Sequence, residues 1–175
     1  MFNLLTRKSI RKYQPNITID DQQIENIIKD CQKAPSARNR QPIKFYVVKS
    51  KSALQAVRPL FPENFPHVDT CSILVFLMGD LRSYGITDAS SENEIDKARN
   101  AILVDGGIMV NQMLQVVRLH GYEACAVGNF QKVQLNGVLN LDNFLIPILA
   151  VTIGLPDDEG KPYDRLDVKD IYKIL

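Results

Sequence analysis

The sequence has no tryptophan, two histidines and three cysteines among its 175 residues. Cys31, Cys71 and Cys125 are far apart, odd in number and form no CxxC pair. This pattern argues against a disulfide framework or a zinc site and favours reduced thiols in the core. Neither His67 nor His120 has a second histidine or a cysteine at ligand spacing, so we expect no metal site.

One-sided charge and long apolar runs are also missing. The 21 basic and 20 acidic side chains give a formal net charge of +1. Composition therefore implies neither a polyanion-binding surface nor an acidic tail. No stretch approaches the roughly 18 apolar residues of a membrane span, and the N-terminus lacks the order of a signal peptide. We expect a cytoplasmic protein that binds neither nucleic acid nor membrane.

Apolar spacing predicts two long helices. Residues 20–34 place apolar side chains at the i, i+3, i+4 and i+7 positions of one face, with Thr18 or Asp20 as the N-cap. From Glu92 to His120 apolar residues occur on nearly all sides, which predicts a helix in the middle of the fold. The pair Gly106-Gly107 weakens that helix locally.

Short apolar and β-branched runs predict the strands, and the hydrophobic share of 45% suits one domain covering residues 1–175. The run 72–79 is typical of a strand buried on both faces, and Pro147 favours an edge position or a bulge. The predicted strands are 43–49, 72–79, a short one ending near Gly128 and 144–154, with a short helix at about 131–139. Strands and helices do not alternate regularly, so the predicted class is α+β, with a mixed or antiparallel sheet flanked by helices.

The segment "RKSIRKY" offers Arg7, Ser9 and Arg11 at alternate positions, which an extended backbone would direct to one side. Guanidinium and hydroxyl groups suit a phosphate, because arginine presents paired N–H donors and keeps its charge at physiological pH. A solvated basic turn is the alternative interpretation of such a cluster.

The connection "APSARNRQP" is long and polar for a simple chain reversal. Pro35 and Pro42 fix its backbone at both ends, and Ser36, Asn39 and Gln41 supply donors and acceptors. Such a loop suits contact with the edge of a heteroaromatic ring, although the same residue pairs are also ordinary turn material.

In their order and spacing these two segments resemble the FMN-dependent nitroreductase family. The resemblance continues with "DGGIMVNQMLQVVRLHGYEACAVGNF", with "IGLP" at the end of the last strand and with "YDRLDVKDI" as a C-terminal arm. It covers nearly the whole chain. It implies a homodimer that exchanges its C-terminal arms and holds FMN at the subunit interface.

The resemblance also implies which residues contact FMN. The first segment would hold the phosphate, the ribityl chain and the pyrimidine edge, with Arg11 near N1 and O2. A positive charge there would stabilise the reduced, anionic flavin and raise its potential. The implied cofactor-binding residues are Arg7, Lys8, Ser9 and Arg11; Pro35, Ser36, Ala37 and Asn39 from the other subunit; Asn64 at the pyrimidine; Gly128 or Asn129, whose N–H faces N5; and Arg165 at the phosphate.

The implied activity is hydride transfer from NADH or NADPH to FMN and from FMN to a small-molecule acceptor such as a nitroaromatic or a quinone. The flavin performs the redox chemistry, so no catalytic side chain is expected. Two positions depart from the family pattern. Ile43 stands where a tryptophan often follows the Gln-Pro pair, and Tyr163 replaces a basic residue two positions before the arginine of the arm, which would weaken the phosphate site.

Several interpretations stay open at this point. A specialised relative would use the same FMN site for a different reaction, and a carrier or sensor would bind FMN without turnover. A nucleic-acid patch at "RKSIRKY" fits poorly with the balanced charge. Tyr84 could line the substrate side or be a plain loop aromatic, and His120 is most simply a charge at a helix C-terminus.

Overall fold

The computed structural model describes residues 4–175, which form five α-helices and four β-strands. The helices are α1 (Asp21–Cys31), α2 (Lys51–Val57), α3 (Pro66–Thr70), α4 (Glu92–Leu119) and α5 (Lys132–Leu139). The strands are β1 (Ile43–Val48), β2 (Ile73–Asp80), β3 (Glu123–Val127) and β4 (Leu145–Gly154). The sequence patterns predicted all of these except the short helices α2 and α3.

The four strands form one sheet in the order β1-β2-β4-β3, and every described pair is antiparallel. This confirms the α+β class and selects the antiparallel sheet over a mixed one. Because β4 is an inner strand, the edge alternative for Pro147 is wrong. The bulge is present, since the register shifts between Leu77 and Met78, and Pro147 pairs with Met78.

Helices cover both faces of the sheet, which explains why all eight residues of β2 are buried. Ile73, Val75 and Leu77 join α1 and α4 in one core cluster. The residues of β2 that alternate with these three point to the opposite face of the sheet, where they pack with side chains from α2, α3 and α5. A central strand between two helical layers has no solvent face, so its sequence is apolar throughout.

Specific caps fix the ends of the two long helices. Asp20, rather than Thr18, is the N-cap of α1, and it forms a capping box with Gln23. Helix α4 also begins with a capping box, whose N-cap residue is Ser91. It ends where Gly121 adopts a φ of 84°, which a glycine tolerates without strain. His120 is the C-cap residue of α4, as predicted.

Two apolar surfaces stay exposed in the single chain. Helix α4 buries one side on the sheet but exposes Leu103, Val104 and Ile108. By length and apolar composition this helix would also suit a membrane span, yet its buried side forms part of the core. The second surface is the C-terminal segment 166–175, which exposes Leu166, Val168, Ile171, Tyr172, Ile174 and Leu175.

Candidate cofactor site

The basic N-terminal segment is anchored to the sheet through its buried residues. The Ile10 amide donates to the carbonyl of Ala124 in β3, over 3.4 Å. The buried Tyr13 places its hydroxyl 3.0 Å from the carbonyl oxygens of Ile10 and Thr152 and 2.9 Å from Thr152 Oγ1. These contacts hold the segment extended, with the half-buried Arg7 and Arg11 near the end of the sheet.

The chain after β4 returns along the same segment. Gln14 donates its amide to the Leu155 carbonyl and Asp157 donates to the Lys12 carbonyl, both over 2.9 Å. Gly160 has a φ of +66°, and a Cβ there would lie 2.8 Å from Lys8 Cβ, so this close approach requires glycine. The start of the C-terminal arm is thereby fixed beside the N-terminal cations.

This return creates a cationic pocket, defined by Arg7, Lys8, Ser9, Lys161 and Arg165. Its volume is 310 Å³, and Leu5, Thr6, Pro162 and Tyr163 complete the lining. Among residues 4–175, none of its four cationic side chains forms an ion pair with a carboxylate. Unpaired cations around one depression favour binding of an anion such as a phosphate.

Tyr163, where the family often has a basic residue, has a different role in the structure. The guanidinium of Arg11 lies over its ring, 5.7 Å from the centroid. Lys161, two residues earlier, lines the cationic pocket instead. Sequence reasoning missed Lys161, although its place just before the arm was a readable signal.

A polar cleft of 340 Å³ lies next to the cationic pocket, and Arg11 connects the two. We define it by Arg11, Asn64, His67, Gly128 and Asn129; Phe65, Pro66, Cys125, Ala126 and Val127 complete its lining. The ladder between β3 and β4 ends at Val127, so Gly128 and Asn129 bring backbone groups to the cleft beyond the last strand pair.

His67 was not among the predicted site residues. Its side chain is 5% exposed, and Nδ1 is buried without a hydrogen-bond partner among residues 4–175. Burial lowers its pKa to about 4, and the positive charge of Arg11 acts in the same direction. The ring is therefore neutral at physiological pH, with one nitrogen as a donor and the other as an acceptor. His67 lines the polar cleft, so it can offer a ligand the hydrogen bonds of a neutral ring.

Cys125 lines the same cleft, and its thiol stays protonated. Burial raises the pKa of this thiol, and the positive charge of Arg11 offsets only part of that effect. The other two cysteines, Cys31 and Cys71, are buried with pKa values raised to about 12. All three are free thiols in the core, as the sequence predicted.

The loop between α1 and β1 belongs to a third depression. Pro35 and Ser36 line a volume of 480 Å³ together with Asp105 and Met109 of α4, and no lining residue is shared with the other two sites. Ala37 and Asn39 follow in a 3-10 turn, Ala37–Asn39. The predicted residues thus fall into two groups: one around the cationic pocket and the polar cleft, and one on this loop.

The residues present fit the cofactor that the resemblance implies. FMN combines a phosphate with a flat ring whose edge carries donors and acceptors. The unpaired cations of the cationic pocket suit the phosphate, and Arg11, Asn64 and the neutral His67 of the adjoining cleft suit the ring edge. Within one chain, the loop that carries Pro35 and Ser36 lines neither of these two sites.

Several known proteins are similar to this chain. The predicted NAD(P)H nitroreductase YdgI of Bacillus subtilis is 25% identical, over 94% of this chain and 92% of YdgI. The CLA biosynthesis enone reductase of Lactiplantibacillus plantarum is 28% identical, over 97% of this chain and 89% of its own. A predicted nitroreductase of Exiguobacterium sibiricum, solved in complex with FMN, matches with a TM-score of 0.90 and 25% identity, covering 98% of this chain and 95% of that one. The crystal structure of the enone reductase CLA-ER matches with a TM-score of 0.87, covering 98% of this chain and 95% of that one.

The family model gives the most direct comparison. The model of the nitroreductase family matches residues 4–155, which include the whole sheet and the N-terminal cations. Together with the fold, this match shows that the chain belongs to the nitroreductase family.

Proposed function

We propose that this oxidoreductase passes hydride from NADH or NADPH, through bound FMN, to a nitroaromatic, a quinone or a similar flat acceptor. The observation that carries the proposal is the cationic pocket, whose four cations have no carboxylate partner among the described residues, next to a polar cleft. Family membership supplies the oxidoreductase class. Bound FMN supplies the hydride chemistry, and the chain supplies binding and orientation.

The cationic pocket would hold the cofactor phosphate. Arg7 and Arg165 would give forked N–H donors, Lys8 and Lys161 would add charge, and the hydroxyl of Ser9 would donate a hydrogen bond. The cations come from two distant segments of the chain, which the close approach of Gly160 to Lys8 brings side by side.

The polar cleft would hold the ring. Arg11 would keep a fixed positive charge beside the pyrimidine edge, where negative charge collects after hydride uptake. Asn64 and the neutral His67 would hydrogen-bond the same edge, and the backbone N–H of Gly128 or Asn129 would face the reacting nitrogen. No side chain of this chain is needed as a nucleophile or as an acid or base.

The proposal includes a homodimer. The loop that carries Pro35 and Ser36 lines a depression of its own, so it would complete the site of the other subunit. The exposed apolar face of α4 and the exposed apolar segment 166–175 both need cover, and a second copy would provide it. The acceptor would then bind over the ring between two subunits.

An absorption spectrum tests the proposal. The purified protein, incubated with FMN and desalted, is titrated anaerobically with NADH and then with NADPH. Flavin bands that bleach would support both the cofactor and the donor. Bands that persist would indicate a carrier or sensor, and a colourless protein would refute the proposal.

A second candidate acceptor is an enone. The enone reductase described above is similar to this chain over nearly the full length of both proteins, and it acts in fatty-acid saturation. Hydride transfer to a conjugated C=C bond needs the same reduced cofactor and a cleft that admits a longer substrate. Reduced protein mixed anaerobically with a nitroaromatic, a quinone or an enone distinguishes the candidates, because the productive acceptor restores the flavin bands fastest.

A further inference from the structure

Asp105 is a charged residue in an otherwise apolar stretch of α4, and it is 3% exposed. Its Oδ1 accepts the amide N–H of Ala37 over 3.0 Å, and its Oδ2 accepts the hydroxyl of Tyr84 over 2.9 Å. Among residues 4–175 no lysine, arginine or histidine forms an ion pair with it. A buried carboxylate held by neutral donors alone is costly, so its retention calls for a specific role.

The loop that Asp105 contacts has an unusual backbone. Arg38, Asn39 and Gln41 have φ values of 52°, 54° and 48°, in the left-handed region that non-glycine residues rarely adopt. Three such residues within four positions persist only when surrounding contacts over-determine the conformation. The loop therefore needs anchors on both sides.

Two further contacts complete the anchoring. The amide of Gln41 donates to Ser36 Oγ over 2.9 Å, across the turn. Arg40 donates to the Ser83 carbonyl over 2.8 Å, and its guanidinium lies 4.8 Å from the centroid of the Tyr84 ring. Tyr84 is thus bound at its face by the loop and at its hydroxyl by the helix.

We infer that Asp105 is a positioning residue that holds the Pro35–Ala37 segment in the conformation in which it meets the FMN of the partner subunit. The inference rests on the proposed function. Asp105 accepts the hydrogen bond of the Ala37 N–H, and Ser36 Oγ accepts that of the Gln41 N–H. Because Ser36 Oγ acts as an acceptor towards Gln41, its hydroxyl proton is free to donate to the cofactor. Without the carboxylate, the Ala37 N–H loses its protein partner and the strained turn relaxes.

Three variants separate hydrogen bonding from charge. Asp105→Asn keeps an oxygen for the Ala37 N–H, and its NH₂ group can donate to the Tyr84 oxygen, so it should behave like the wild type. Asp105→Ala removes both acceptors. Asp96→Asn is the matched control, because Asp96 is an exposed acid on the same helix that pairs only with Arg99.

The experiment titrates each apo-protein with FMN and follows quenching of flavin fluorescence and the visible circular dichroism of the bound ring. We expect Asp105→Ala to raise the Kd for FMN about tenfold and to change the dichroism, because a hydrogen bond to a charged group is lost. Asp105→Asn and Asp96→Asn should stay within about twofold, a difference under the size of one net hydrogen bond. The midpoint potential of Asp105→Asn should equal that of the wild type.

The opposite results are equally clear. An Asp105→Ala protein with wild-type Kd and dichroism would overturn the inference. Loss of binding in Asp105→Asn equal to that in Asp105→Ala would show that charge, not positioning, matters.

If Asp105→Ala does not fold, Ala37→Pro replaces it. This change removes the donated N–H at the first position of a turn, where proline is tolerated because the preceding Ser36 is extended. Ala37→Pro with unchanged Kd would also overturn the inference. A wild-type protein that does not bind FMN would instead refute the proposed function itself.

Discussion

Gly106 of α4 packs against Ile148 of β4, and its replacement by alanine should destabilise the protein. A Cβ on Gly106 would stand 2.9 Å from both Cγ2 and Cδ1 of Ile148. Alanine favours a helix over glycine by about 1 kcal/mol. Forcing an extra methyl group into a packed core costs about 1–3 kcal/mol. The net effect of Gly106→Ala should be a loss of about 1 kcal/mol in the free energy of unfolding.

Gly137 in α5 provides the matched control. A Cβ there would meet no heavy atom within 4 Å. Gly137→Ala should therefore only gain helix propensity and should stabilise the protein by about 0.5–1 kcal/mol. The same chemical change in two helices should shift the free energy of unfolding in opposite directions, because only one of the two methyl groups meets a neighbour.

Urea unfolding followed by far-ultraviolet circular dichroism measures both variants at one fixed protein concentration. Ile148→Val alone should cost about 0.5–1.5 kcal/mol, but it should cost less when added to Gly106→Ala, because valine lacks the Cδ1 atom that the new methyl group meets. The double variant should therefore lose less than the sum of the two single changes. A Gly106→Ala protein as stable as Gly137→Ala would refute the reasoning.

Three more predictions follow from the site and its surroundings. Arg165→Gln should raise the Kd for FMN about tenfold and flatten its salt dependence, whereas Lys29→Gln on an exposed face of α1 should leave both unchanged; fluorescence titration at two salt concentrations measures this. Val104→Arg should convert the proposed dimer to a monomer and weaken FMN binding. Val133→Arg, at an even more exposed valine of α5, should do neither. Sedimentation measures the oligomeric state, and titration with FMN measures the binding. The free energy of unfolding of the wild type should fall as the pH drops from 6.5 towards 4, because His67 takes up a proton in the unfolded state but resists protonation in the folded state. Over that pH range the His67→Gln variant should lose about 2 kcal/mol less of its free energy of unfolding, measured with urea. Equal losses in the two proteins would contradict this.

Much of the fold could be predicted because its patterns are long or chemically specific. The apolar run of β2 indicated burial on both faces, and the apolar spacing in residues 20–34 indicated α1 with its N-cap at Thr18 or Asp20. Helices α2 and α3 escaped because seven and five residues are too few for a helical period to stand out. Their sequences resemble polar connections, and their few apolar residues become significant only where they pack against the sheet.

The site was predictable only in part, because its residues come together through tertiary contacts. The resemblance named Arg7 and Arg165 but not Lys161, whose one signal was its place just before the arm. His67 gave no periodic signal, since its importance lies in its burial beside Arg11. Asp105 did give a signal: a single acid inside an apolar helical stretch must find partners, and spacing alone cannot say which.

The cationic pocket also has a consequence for protein synthesis. Its cations come from the first and the last parts of the chain, with Arg7 and Lys8 on one side and Lys161 and Arg165 on the other. A chain in which residues 161–165 have not yet been translated and folded back therefore lacks two of the four cations. In the proposed site, FMN would load only after this return, and flavin colour would report on chains whose two distant segments have come together.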